Sequence, residues 1–90
     1  MKIVWVFNGS GAQFPAAVFS TQELAAAWIA EHGLTGTLTQ YPVDVSALDW
    51  SVEQGFFRPT KPKHQTPQFK QSFTSASQKH HHFQDGSPDA

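Results

Sequence analysis

The chain has 90 residues, a net charge of −1 and no cysteine. That length holds one domain, and the missing thiols exclude disulfides, thiolate metal centres and a cysteine nucleophile. The apolar run Ile3 to Phe7 is too short for a signal h-region of about 7–15 residues. No stretch approaches the roughly 18 apolar residues of a membrane span, so the expectation is a soluble, unprocessed cytoplasmic protein with no membrane partner.

Residues 2–8, KIVWVFN, form a β-type run. Ile3, Trp5 and Phe7 share one face, and Val4 and Val6 the other, a pattern that predicts a central strand covered on both sides. The punctuation GSGAQFP follows, and then AAVFS, read as the second strand of a hairpin.

Residues 20–33, STQELAAAWIAEHG, predict the long helix. Ser20 and Glu23 have capping-box spacing, and Leu24, Ala25, Trp28 and Ile29 make the inner stripe. Gly33 suits the position after the last turn. His32 in that turn fits the helix dipole, which explains it without catalysis.

Residues 34–44, LTGTLTQYPVD, predict a third strand, antiparallel to the first and beside it, giving the order 2-1-3. A short second helix over 46–55 has Ser46 as N-cap and Gly55 beyond its end. Val45, Leu48 and Val52 then point inward and Trp50 faces elsewhere. Asp44 and Asp49 bracket the helix start, where capping explains both carboxylates.

Residues 58–72 read as a basic, proline-containing loop. Within it Thr66 and Pro67 fit the start of a single helical turn. Residues 74–84 read as a last strand, which closes a domain over 1–84, and 85–90 as a fraying tail. The expected fold is α+β: a small three- or four-stranded, mainly antiparallel sheet with one long and one short helix. The stretches VWVFNG, AAWIAEHGLTGTLTQYP, DWSVEQGFF and FTSASQKHHHFQDG together resemble a family of short bacterial proteins defined only as a domain of unknown function. That resemblance implies that the histidine run is native and not a purification tag. It brings no activity, cofactor or catalytic residue.

The chemistry offered by the residues is sparse. His80 and His82 share a strand face while His81 points away, and two imidazoles are half of a zinc site. His64, Asp85 or His32 would have to supply the rest, and no spaced ligand signature such as HExxH is present. A structural strand is therefore the default, and no cofactor is expected. No serine lies in a GxSxG motif, and the GSG at 9–11 precedes no helix that would make it a phosphate loop.

Arg58, Lys61, Lys63, His64, Lys70 and Lys79 fall in a stretch with no acid from 58 to 82. With Phe56, Phe57, Phe69 and Phe73 among them, they suggest a grip on phosphates and bases. A near-neutral chain of pI about 6.5 argues against a dedicated nucleic-acid domain. Trp50, Phe56, Phe57 and Arg58 are the expected protein-binding anchors, tryptophan and arginine being frequent interface hot spots. The reading is a non-enzymatic protein-interaction module of an accessory or immunity type, monomeric or homodimeric. The alternative is a nucleic-acid-associated module using Arg58, Lys61, Lys63 and Lys70.

Overall fold

The computed structural model describes residues 2–89. In chain order it comprises β1 (Ile3–Gly9), β2 (Ala17–Phe19), α1 (Gln22–His32), β3 (Gly36–Pro42) and α2 (Ala47–Glu53). A 3-10 turn (Pro62–Gln65), α3 (Pro67–Ser72), β4 (His80–Gln84) and β5 (Ser87–Pro88) complete it. The sheet has five strands in the order β2-β1-β3-β4-β5, all antiparallel.

Directly opposed residues of antiparallel strands share a face. Trp5 faces Phe19 and Gln40, Phe7 faces Ala17 and Leu38, Leu38 faces His81, and Gly36 faces Phe83. This is the core face. Trp5, Phe7, Leu38 and Phe83 are buried here beneath Ala25 and Ile29 of α1, with Phe19, Ala26, Trp28 and Leu34 around them. Rings set the packing: Trp28 meets Phe7 edge-on at 5.7 Å between centroids and Phe19 at 5.5 Å. Such pairs contribute about 0.5–1.5 kcal/mol beyond their buried area.

Gly36 fixes how closely β3 approaches β1. A Cβ at this position would collide with the Asn8 carbonyl oxygen and lie 2.8 Å from the Phe7 ring. Only a residue without a side chain fits.

The opposite face is open. Val4, Val6, Asn8, Thr37, Thr39 and Tyr41 are half-buried, and Val18, His80 and His82 are exposed. None is buried. The apolar pattern on both faces of β1 therefore marks a central strand covered on one side only. Valine suits a pleated strand through its branched side chain whether or not anything packs on it, which is why alternation misread the second face.

Several expectations are corrected. Among the described residues the sheet has five strands and there are three α-helices, whereas the sequence suggested three or four strands and two helices; the partial order 2-1-3 is present. The N-cap of α1 is Thr21, not Ser20: its hydroxyl accepts from Leu24 N–H at 3.1 Å. The stripe centres on Ala25 and Ile29, about 100° from Leu24 at 3.6 residues per turn, and Leu24 is 56% exposed. In α2, Leu48 is buried but Val52 is 39% exposed.

The sheet also runs past residue 84. Asp85 and Gly86 have φ of 51° and 89°, and Gln84 pairs with Ser87 across them. Two central residues with positive φ make a type I′ hairpin turn, for which Asp-Gly is a preferred sequence. Gly86 packs on Ala30 and Gly33, and its N–H donates to Leu34 O at 2.8 Å. The hairpin thereby locks the end of α1 to the sheet. Among the described residues no helix is long and apolar enough to cross a membrane.

Candidate functional site

Three surfaces carry the chemistry-bearing residues. The first lies between α2 and α3. Ser46 caps α2 by accepting from Asp49 N–H at 3.0 Å, and the helix ends at Gln54, followed by Gly55 with φ 79°. Phe56 and Phe57 N–H both donate to Ser51 O, at 2.8 and 3.3 Å. This turn folds Phe56 back onto Trp50, with 5.6 Å between centroids. Trp50 is half-buried, Phe56 is 56% exposed and Arg58 is exposed. Among the described residues the buried Ser51 hydroxyl has no hydrogen-bond partner.

Phe57 takes the other direction. Its ring lies 5.0 Å from His64, 5.7 Å from Phe69 and 5.2 Å from Phe73. Thr66 caps α3, its hydroxyl accepting from Phe69 N–H at 3.2 Å with Pro67 at the first helical position. Both signals were legible in the sequence. The buried His64 accepts from Lys61 N–H through Nδ1 at 3.2 Å, so its ring carries the proton on Nε2. Residues 57–73 thus hold a small aromatic core of their own. Of the four expected anchors, Trp50, Phe56 and Arg58 remain near the surface, and Phe57 is committed to this core.

The basic residues lie around that core. Arg58, Lys61, Lys63 and Lys70 are all exposed. Phe69 and Phe73 are not free platforms for bases: Phe69 stacks on Phe57, and Phe73 packs tilted against both, 5.2 Å from Phe57 and 5.8 Å from Phe69.

The second surface is the open sheet face along β4. His80 and His82 project from it with ring centroids 5.3 Å apart, and His81 lies on the core face against Trp5 at 5.9 Å. The alternation expected of a strand is therefore present. His80 Nδ1 donates to Gln78 O at 2.8 Å, and His82 Nδ1 lies 3.3 Å from Thr37 Oγ1. Neither His64, His32 nor Asp85 joins them. No group of three potential ligands close enough to hold a metal occurs among the described residues.

The third surface is an open cleft of about 410 Å³ where the β1–β2 loop meets β3 and β4. Asn8, Ser10, Thr37, His82 and Asp89 line it. Asn8 is occupied locally, its Nδ2 donating to Ala12 O at 3.2 Å. Sequence reading did not find this cleft, because it forms only when register brings residues 8–12, 35–37 and 82–89 together.

A small antiparallel sheet, backed by one helix and bare on its other face, places the chain among compact α+β domains. The chain belongs to the family described as Domain of unknown function (DUF7710), which matches residues 4–89. No curated protein and no solved structure matches the chain.

Proposed function

We propose that this domain is a non-enzymatic protein-interaction module of an accessory or immunity type, which works in the bacterial cytoplasm by covering part of a partner's surface. The observation that carries this reading is the contact between the tilted Trp50 and Phe56 rings at the end of α2, with Phe56 exposed and the exposed Arg58 two residues further along the chain. An exposed aromatic and an exposed arginine in one short stretch have the composition of interface anchors. The turn that holds Phe56 there is pinned by two backbone hydrogen bonds to Ser51, so the aromatic is preorganised and loses little freedom on binding. The cysteine-free composition accords with a reducing compartment.

The test is a capture experiment from host lysate at near-physiological salt, with wild type beside a Phe56→Ser/Arg58→Glu variant. Both side chains are exposed, so the variant is expected to fold. A stoichiometric protein retained by wild type and lost by the variant is the expected result. Identical retention by both chains would defeat this reading.

The alternative, a nucleic-acid-associated module using Arg58, Lys61, Lys63 and Lys70, rests on the exposure of all four cations in a stretch without acids. It predicts retention on heparin with a steep loss as salt rises. The packing of Phe57, Phe69 and Phe73 against one another weakens it, because stacked bases need free rings.

A further inference from the structure

We infer that His80 and His82 are one half of a zinc site, and that a second copy of this chain, seated face to face on the open side of the sheet, supplies the other half. Structural zinc takes four ligands in a tetrahedron, with imidazole nitrogen among the preferred donors. One chain presents two imidazoles on one strand face, 5.3 Å apart between centroids. It brings no third ligand to them among the described residues. A two-fold axis through the metal makes the set four.

Three details favour this arrangement over a bare histidine run. The Nδ1–H of His80 is held by the Gln78 carbonyl, which fixes the tautomer and leaves the Nε2 lone pair pointing outward; such a second partner is characteristic of zinc-ligating histidine. A neutral His82 that donates from Nδ1 to the Thr37 hydroxyl presents Nε2 in the same way. The face around them is also suited to a flat partner. Val6, Thr39 and His80 lie in one cross-strand row that continues to the exposed Val18, and Asn8, Thr37 and His82 lie in the next. β1, β2, β3 and β4 bring no carboxylate to it; Asp89, just past β5, donates its N–H to His82 O at 2.7 Å and lines the cleft with His82, but it completes no three-ligand group with the two histidines. Packed sheets stand about 10 Å apart, and two imidazoles meeting at one metal through Zn–N bonds of about 2.0–2.1 Å bridge a gap of that order.

This site uses the strand face of β4 and not the Trp50–Phe56 pair, so either proposal can fail alone. The test is sedimentation velocity of the untagged full chain titrated with zinc chloride, with bound zinc counted, for wild type and for His80→Ala, His81→Ala and His82→Ala. Circular dichroism checks that each variant is folded. The expected result is a dimer that forms at one zinc per two chains and reverts with EDTA. It is lost in His80→Ala and His82→Ala and retained in His81→Ala, whose side chain lies on the other face. A wild-type chain that stays monomeric in excess zinc would overturn the inference. So would one zinc per monomer, a dimer that survives His82→Ala, or equal loss in all three variants, which is the behaviour of an unstructured histidine peptide.

Discussion

Gly36 and Gly55 are both glycines in a small domain, but they are required for different reasons. Gly55 has φ 79° and open space where a Cβ would stand. Gly55→Ala should cost about 1–2 kcal/mol, the penalty of a left-handed backbone for an L-residue. At Gly36 the obstacle is the neighbouring strand. Gly36→Ala must push β3 away from Asn8 and Phe7, and the expected loss exceeds the about 1–3 kcal/mol typical of overpacking. Urea denaturation followed by tryptophan fluorescence separates the two; equal midpoint shifts would contradict the close approach. Nothing in the local sequence distinguishes these glycines, because the contact that matters at Gly36 comes from residues almost thirty positions earlier. Phe56 and Phe57 pose the same problem. They are adjacent and identical, and one is exposed while the other is packed by His64, Phe69 and Phe73, partners that no local periodicity reveals.

At the scale of elements, legibility follows the range of the deciding interaction. The helix over 22–32, the strand over 36–42 and the Thr66–Pro67 helix start were readable, because a few neighbouring residues determine them. The cap of α1 was displaced by one residue. Ser20 and Thr21 are both cap types, serine the stronger of the two, and Glu23 also favoured Ser20 by its spacing. Thr21→Ala should destabilise the domain by about 1 kcal/mol, the usual value of a lost N-cap hydrogen bond, while Ser20→Ala should leave the melting temperature unchanged. The reverse order in a thermal melt would reject the assignment. The last hairpin was missed although its Asp-Gly signal is strong, because a two-residue strand has too little hydrophobic pattern to read. Only its pairing with Phe83 and Gln84 makes it a strand.

The whole molecule measures 45 × 28 × 23 Å, long for its size because it has two apolar centres. One is the sheet with α1. The other is the aromatic group of Phe57, His64, Phe69 and Phe73, and α3 packs mainly on the 3-10 turn of its own segment. The strand order of the first could be argued from the sequence; the existence of the second could not, since residues 58–72 look like a basic loop when their phenylalanines are read one by one. Local stability differs where buried contacts differ. Hydrogen exchange should therefore find the slowest amides in β1 and β3 and much faster exchange across residues 58–72. Uniform protection along the chain would mean that the two centres unfold as one.

The pairing of β3 with β4 joins Gly36–Thr39 to His80–Phe83, with all of α2, the 3-10 turn and α3 in between. During synthesis, the ribosome must therefore release some forty further residues before the outer edge of β3 can be closed. Until then the nascent chain carries a finished hairpin and helix beside a strand whose N–H and C=O groups are unpaired, a state open to pairing with other chains. Translation speed through 43–79, more than the stability of the finished domain, sets how long that exposure lasts.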